Sequence, residues 1–176
     1  MGRVRTPDAP PPDGRRLKGE RRRRTLLDAT LRLVGREGTA AVTQRGVAAE
    51  AEVPPSAVLY YFASVDGLLV AALTAVNDRY VEWLRAVGSL GDLAALLRGC
   101  AEQDRLLTVA EYELLLLAAR RDDLRDELHR WDRALDDVAA RLVPADRRPL
   151  LVAAVNGLCL AAVLGSPCDT GVLHRI

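Results

Sequence analysis

The sequence contains few cysteines and no pattern that would pair them. Its three cysteines, Cys100, Cys159 and Cys168, are odd in number, widely spaced and without a CxxC pair. A disulfide framework or a structural zinc site needs closer and more regular spacing. The cysteines therefore favour a protein of the reducing cytoplasm.

A long apolar segment is also missing. The apolar run at residues 150–155 is broken by Asn156 and Gly157. Even its continuation to Leu164 falls short of the roughly 20 residues that a membrane span needs. The N-terminus lacks the apolar run of a signal peptide. We therefore expect a cytoplasmic protein without a membrane segment, in which this apolar stretch is a buried helix.

Residues suited to catalysis or metal binding are equally scarce. His129 lies on a charged helix face and His174 near the C-terminus, so neither is placed as a catalytic base. The sequence shows no phosphate-binding glycine loop and no paired metal-ligand spacing. We predict a protein that is not an enzyme and that has no cofactor and no metal site.

Charge is unevenly distributed, although the net charge is only +1. Residues 1–62 carry 12 Lys/Arg and 7 Asp/Glu, a net charge of +5, whereas residues 63–176 carry 13 and 17, a net charge of −4. A basic head on an acidic body suits a protein that places one end on phosphates and keeps the other end off them. A chance asymmetry of charge is the alternative.

Apolar residues recur at helical spacing along most of the chain, and no segment alternates like a strand. The sequence therefore predicts an all-α fold. Prolines at positions 7, 10, 11 and 12 predict a disordered arm over residues 1–14, and residues 166–176 are predicted as a flexible tail. Between them we place a three-helix head over residues 15–63 and a helical body over residues 64–165.

The stretch from Thr43 to Phe62 predicts two short helices joined by a tight turn. Thr43 is a good N-cap, because its hydroxyl can accept a hydrogen bond from a free amide one turn later. Residues 52–53 make the turn, and the prolines at 54 and 55 open the next helix, where the missing N–H costs little. The residues predicted to pack inward are Val58, Leu59 and Phe62. This is the geometry of a helix-turn-helix, whose second helix enters the DNA major groove.

Four consecutive arginines precede this motif in the first predicted helix. Arg21, Arg22, Arg23 and Arg24 either form a solvated helix face or contact DNA phosphates and the minor groove. Their position next to a helix-turn-helix favours the second interpretation.

The segment from Thr25 to Leu73 resembles the head of the TetR family of bacterial transcriptional regulators. The match needs no gap and spans about 49 residues over four consecutive predicted helices. The residues that carry it are Leu27-Asp28-Ala29, Gly38, Thr43, Arg45, Val47-Ala48, Ala51, Val53, Tyr60, Phe62, Ser64 and Leu68-Leu69. The resemblance implies a homodimeric, ligand-responsive DNA-binding regulator, most often a repressor released from a palindromic operator by a small molecule.

The resemblance also implies which residues meet DNA. Arg45 is the best candidate to read guanine with two hydrogen bonds. The further expected contacts are Thr43, Gln44, Pro55, Ser56, Ala57, Tyr60 and Tyr61. The sequence departs from the family pattern at four positions: Glu52 replaces the usual turn glycine, Pro54 the serine cap, Leu59 the first tyrosine and Val65 a lysine.

For the body, the resemblance implies a ligand cavity and a dimer interface. The cavity is expected within residues 64–120, and its candidate residues are Asn77, Trp83, Cys100, Gln103, Thr108, Glu111 and Tyr112. The last two long helices are expected to pair with a second copy. The expected interface residues are Leu128, Trp131, Leu135, Ala153, Gly157 and Ala161. A helix that is apolar nearly all round, with small residues at every fourth position, supports this pairing; a central helix of a monomer core is the alternative.

A second function from another class is compatible with the sequence. The replacements at Glu52, Leu59 and Val65 would also suit a helical binding or scaffold protein whose helix-turn-helix no longer binds DNA. Binding to a DNA palindrome with steep salt dependence distinguishes the two functions.

Overall fold

The computed structural model of the chain describes residues 14–103 and 105–176. In these residues the regular structure is helical, without strands. Eight α-helices follow one another as α1 (Gly14–Glu37), α2 (Gln44–Glu50), α3 (Pro55–Tyr61), α4 (Val65–Ala86), α5 (Leu90–Glu102), α6 (Arg105–Ala118), α7 (Arg125–Leu142) and α8 (Arg148–Val163). Short 3-10 helices span Thr39–Ala41, Asp122–Leu124 and Thr170–Arg175. The predicted all-α fold, a helix-turn-helix head on a helical body, is confirmed. The predicted disordered arm lies outside the described residues, except for Gly14, which begins α1.

The head is built on α1, whose second half carries a continuous buried face. Its fully buried side chains include Leu26, Thr30 and Val34. The Thr30 hydroxyl donates a hydrogen bond to the Leu26 carbonyl at 2.8 Å. The helix ends at Gly38, which adopts a φ of 82°. Glycine has no Cβ to strain this left-handed conformation, so it is well suited to the end of the helix.

The body is arranged around α4, which runs from the head into the centre of the molecule. Ser64 caps this helix, because its hydroxyl accepts from the Gly67 amide at 3.0 Å. Along α4, Leu68, Leu73 and Val76 are fully buried. This apolar face packs against α1, α6 and α7, and one continuous core therefore joins the head to the body.

A second core lies at the other end of the body. It is formed by α5, α7 and α8, with Leu93, Leu135 and Leu151 almost completely buried. Leu135 therefore lies inside the protomer, and its prediction as a dimer-interface residue is wrong. The helical spacing along α7 was read correctly, but the side that carries Leu135 faces α5 and α8 of the same chain.

The prediction of a flexible tail over residues 166–176 is also wrong. Residues Thr170–Arg175 form a 3-10 helix, and the Leu173 side chain is completely buried in the second core. Arg98 donates to the Thr170 hydroxyl at 2.8 Å, and Arg147 donates to the Ile176 carbonyl at 3.1 Å. The short polar residues around Leu173 suggested a flexible tail. In the structure, the Leu173 side chain packs into the core beside α5.

Candidate functional site

The helix-turn-helix is held in shape by local backbone chemistry. Thr43 caps α2, because its hydroxyl accepts from the Gly46 amide at 2.9 Å. The turn closes through the Val53 amide, which donates to the Ala48 carbonyl at 2.9 Å. Glu52 occupies the turn with a φ of 52°. A side chain is strained in this left-handed conformation, so the replacement of the family glycine by Glu52 costs stability.

The exposed edge of this motif contains the residues expected to meet DNA. Thr43, Arg45, Pro55 and Ser56 are exposed, and the Tyr60 side chain is 82% exposed. The partly exposed members of the set are Gln44, Ala57 and Tyr61. These eight residues lie at the N-termini of α2 and α3 and along α3, and each of them is at least partly exposed.

Leu59 does not pack inward as predicted, since it is 51% exposed. The helix α3 has only seven residues, and Val58 together with Phe62 already fills its inner face. Leu59 falls about 100° further round the helix and lies next to Tyr60 on the outer face. The outer face of α3 consequently contains an exposed leucine where the family pattern has a tyrosine.

Arg23 and Arg24 differ in their surroundings from the other two arginines of the run on α1, Arg21 and Arg22. All four arginines are exposed. The Arg23 guanidinium lies 5.2 Å from the centroid of the Phe62 ring, so it stacks on the end of α3. Arg23 and Arg24 also border a cleft between α1 and α4 that contains the carboxylates of Asp28, Asp78 and Glu82. These two arginines lie on the α4 side of α1.

An ionic clamp at the surface, whose arginines are partly exposed, fixes α2 against α1. Arg32 donates to one oxygen of the Glu50 carboxylate at 2.7 Å, and Arg36 donates to the other, also at 2.7 Å. The two guanidinium groups lower the pKa of Glu50 from 4.5 to about 2. Two charge-assisted hydrogen bonds to one carboxylate fix both the distance and the angle between the helices.

A second polar cluster joins α4 to α7. Asn77 is completely buried and donates to the Glu127 carboxylate at 2.9 Å and to the Glu127 carbonyl at 3.1 Å. Thr74 donates to the same carboxylate at 3.0 Å. Arg130 on α7 additionally pairs with Asp78 on α4. Asn77 is therefore a structural residue of the α4–α7 contact, and no cavity described below includes it.

The body contains three cavities that separate the predicted ligand residues. One of about 350 Å³ is bordered by Trp83 and Cys100, one of about 430 Å³ by Gln103, and one of about 490 Å³ by Glu111 and Tyr112. Thr108 borders none of these three; it is buried and donates to the Cys100 carbonyl at 3.2 Å. The structure thus does not unite the predicted residues in a single pocket.

Of the predicted interface residues, Ala153 and Gly157 lie exposed on α8. Ala161, Leu128 and Trp131 are partly exposed. Leu150, Leu160 and Leu164, which the prediction did not include, are 52%, 46% and 70% exposed on the same helix. Spacings of three and four residues place them beside Ala153 and Gly157 on one face.

Comparison with known proteins agrees with this architecture. Residues 26–72 match the family model described as bacterial regulatory proteins, tetR family, and residues 88–175 match that described as tetracyclin repressor-like, C-terminal domain. The protein belongs to the TetR family. It is therefore a DNA-binding transcriptional regulator and not an enzyme.

Solved structures show the same fold over most of the chain. A TetR-family member from Streptomyces coelicolor is 35% identical, with a TM-score of 0.75, over 88% of this chain and 96% of the other. The multidrug binding protein EbrR, complexed with ethidium, is 35% identical, with a TM-score of 0.70, over 88% of this chain and 94% of EbrR.

Curated relatives cover less of the protein. The HTH-type transcriptional regulator BetI of Rhizobium meliloti is 32% identical over 109 residues, which are 58% of this chain and 54% of BetI. BetI of Agrobacterium fabrum is 29% identical over 146 residues, which are 78% of this chain and 65% of that protein. The chain thus spans about half to two thirds of the length of these relatives.

Among the residues that the structure describes, no single helix is long and apolar enough to cross a membrane; α3 and α4 reach the required composition only together, and they meet at a bend of 71°. Within residues 14–103 and 105–176, no group of three His, Cys, Asp or Glu side chains is arranged to hold a metal ion.

Several functional residues were not evident from the sequence. The clamp of Glu50 joins residues 14 and 18 positions apart, and a glutamate on a short helix carries no local sign of two arginine partners. The exposed leucines of α8 did carry a signal, because Leu150, Leu160 and Leu164 follow the same helical spacing as the small residues that were predicted.

Proposed function

We propose that this TetR-family regulator is a homodimeric repressor that binds a palindromic operator and is released from it by a small organic molecule. The observation that carries the proposal is the continuous packing between the exposed helix-turn-helix and the cavities of the body. Through α1 and α4, one core joins the two parts. A displacement of α4 in the body therefore also moves the recognition surface.

On DNA, Arg45 is proposed to read guanine in the major groove, because its side chain is exposed at the start of α2. Tyr60 is exposed at the end of α3, where its hydroxyl can donate to a phosphate. Thr43, Gln44, Pro55, Ser56, Ala57 and Tyr61 complete the proposed contact surface. Arg21 and Arg22 are the arginines of α1 that this role suits best, since Arg23 and Arg24 border the α1–α4 cleft.

The proposed dimer interface is the exposed apolar face of α8. Leu150, Leu160 and Leu164 form a stripe with Ala153 and Gly157, and such a stripe of large apolar side chains is unfavourable in water. The small residues in its middle permit close approach of a second helix. A two-fold axis through this face would hold the two recognition helices about 34 Å apart, the spacing of successive major grooves.

The proposal that a small molecule releases the DNA is supported by EbrR. Besides the ethidium complex, EbrR has been solved in complex with malachite green and with proflavin. For this chain we propose only that one cavity of its body binds a small organic molecule. Binding of that molecule favours one position of α4 over another.

The proposal is tested by fluorescence anisotropy with the DNA upstream of the gene as the labelled probe. The wild-type protein should bind a palindrome within this DNA, with an affinity that falls steeply as salt rises. Arg45→Ala should weaken binding about tenfold or more, the effect of losing one base-reading pair. Arg120→Ala, an exposed arginine at the end of α6, serves as the matched control and should leave binding unchanged.

Two outcomes would contradict this proposal. Absence of binding at low salt excludes a repressor and favours the alternative of a helical binding protein with a degenerate head. Equal losses in Arg45→Ala and Arg120→Ala would mean that general charge, and not a base contact by Arg45, holds the DNA.

A further inference from the structure

The cavity of about 490 Å³ between α6, α7 and α8 contains a buried carboxyl group. Its volume is within the range of sites for small organic ligands. The residues that border it are Glu111, Tyr112, Leu115, Leu128, Trp131, Asp132, Asn156, Gly157 and Leu160. Gly157 and Leu160 also belong to the α8 face proposed for dimerisation, so an occupant of the cavity would lie beside that interface.

Glu111 is only 3% exposed, and its Oε1 atom has no hydrogen-bond partner. Leaving a buried carboxyl oxygen unpaired is costly, because the group loses water without gaining another donor. Burial raises the pKa of Glu111 from 4.5 to about 8. A ligand that brings a hydrogen-bond donor or a positive charge to this one oxygen would therefore be stabilised in the cavity.

The surroundings of Glu111 favour a positive charge that is spread over an organic group. Trp131 and Tyr112 provide aromatic surface, and the Tyr80 ring packs edge-on against Trp131 with centroids 5.6 Å apart. Asp132 adds a second carboxylate, and none of the residues bordering the cavity is Lys, Arg or His. Aromatic faces and carboxylates both attract cations, whereas an inorganic cation would gain nothing from the apolar walls.

We propose that this cavity binds an organic cation, with its positive charge held at the Glu111 carboxylate and its apolar part against Trp131 and Tyr112. The inference deepens the proposed function and rests on it in one respect, namely that this cation is the molecule that releases the DNA.

Glu111 lies close to a polar group of α4. The Tyr80 hydroxyl is 3.2 Å from the Thr108 hydroxyl, which donates to the Cys100 carbonyl, and it is near enough to the Glu111 carboxyl to affect the pKa of that group. A protonated Glu111 can donate to Tyr80, and Tyr80 can then donate to Thr108. An ionised Glu111 instead requires the Tyr80 proton. Ionisation by a bound cation therefore turns the hydroxyl proton of Tyr80, on the helix that joins the body to the head, from Thr108 toward Glu111.

The test uses two probes of similar shape in isothermal titration calorimetry with the full-length protein. N-methylacridinium carries a fixed positive charge, and acridine is neutral at pH 8. The wild-type protein should bind the cation at least about tenfold more tightly than acridine, the preference expected of one charge-assisted contact. Glu111→Gln keeps the shape of the side chain but removes its charge, so most of the preference for the cation should be lost, and only the part due to Asp132 and the aromatic rings should remain.

Glu113→Gln is the matched control, since Glu113 lies two residues along the same helix and does not border the cavity. It should retain the preference of the wild-type protein. Equal affinity of the wild-type protein for both probes, or a preference that Glu111→Gln leaves at its wild-type size, would overturn the inference. Operator binding by Glu111→Gln, measured without any probe, reports on the proposed function separately.

A pH series on the wild-type protein keeps the test valid even if Glu111→Gln fails to fold. Groups that face Glu111 from the neighbouring helices are Tyr80 on α4, Cys100 on α5, Asp132 on α7 and Cys159 on α8. Burial raises the pKa of Tyr80 and that of Cys159, so neither competes for a proton near neutrality. Affinity for N-methylacridinium should rise by up to about tenfold per pH unit below pH 8 and then level off. A flat profile would contradict the role of Glu111.

Discussion

Gly35 on α1 lies so close to Leu106 on α6 that a Cβ at position 35 would be 2.3 Å from the Leu106 carbonyl oxygen. Two helix backbones meet at this point, so the clash cannot be relieved by rotating a side chain. Gly35→Ala should therefore destabilise the protein by about 1–3 kcal/mol, the usual cost of overpacking a core. Thermal and denaturant unfolding followed by circular dichroism measure this change.

Gly99→Ala is the matched control for Gly35→Ala. Gly99 is also helical, but a Cβ there would meet nothing within 4 Å. Alanine is the better helix former, so Gly99→Ala should be neutral or more stable by up to about 1 kcal/mol. If the two variants unfold alike, α1 and α6 are not in contact at Gly35, and the connection between head and body described above is incorrect.

The Glu50 clamp predicts a pH-dependent contribution to stability. Its pKa is lowered in the folded protein from 4.5 to about 2, so the stabilisation is complete above pH 4.5 and is lost as the pH falls toward 2. Glu50→Gln should cost about 1–2 kcal/mol at neutral pH, because it removes the charge that both arginines bind. The cost is no larger because both arginine partners are partly exposed. Unfolding measured from pH 7 to pH 2 should show the wild type and Glu50→Gln converging in acid.

The exposed Glu82 on α4 provides the control for this measurement. Glu82→Gln should follow the wild-type curve at every pH. A difference between wild type and Glu50→Gln that stays constant down to pH 2 would show that packing, and not the ionic clamp, accounts for the loss.

The strained turn offers a prediction in the opposite direction. Glu52 adopts a φ of 52°, a conformation that costs a side chain about 1 kcal/mol and a glycine almost nothing. Glu52→Gly should therefore raise the free energy of unfolding by about 1 kcal/mol relative to Glu52→Ala. Both variants remove the negative charge near the DNA, so only the strain distinguishes them. Equal unfolding midpoints for the two variants would argue against a left-handed turn at this position.

The sequence was sufficient where the chemistry is local. The N-cap at Thr43 follows from residues within one turn of each other, and the structure confirms it. The all-α architecture follows from helical periodicity in the same way.

Features that depend on which helices meet could not be predicted in this way. The closeness of Gly35 to Leu106 joins positions 71 residues apart, and a glycine within an amphipathic helix looks neutral in the sequence. Asn77 was assigned to the cavity because it is polar among apolar neighbours, yet the same property fits its contact with Glu127 50 residues away. The sequence identifies unusual residues but does not show which partner each one has.

The apolar stripe of α8 leads to a prediction about assembly. Ala153 is exposed in the middle of this stripe, and glutamate is tolerated well in a helix, so Ala153→Glu should leave the fold of the protomer intact. In a two-fold interface, however, it would place two unpaired carboxylates in an apolar contact. We expect the dimer to weaken by at least about a hundredfold, because burying an unpaired charge costs several kcal/mol.

Sedimentation velocity measures this directly, since the wild type should sediment at about twice the chain mass of 19.1 kDa and Ala153→Glu at that mass. Ala95→Glu, on the exposed side of α5, is the control and should remain dimeric. A monomeric variant should also lose most of its operator affinity, because one head then contacts only half of the palindrome and the benefit of holding two heads together disappears. A wild-type protein that sediments as a monomer, or an Ala153→Glu variant that remains dimeric, would place the interface elsewhere or remove it.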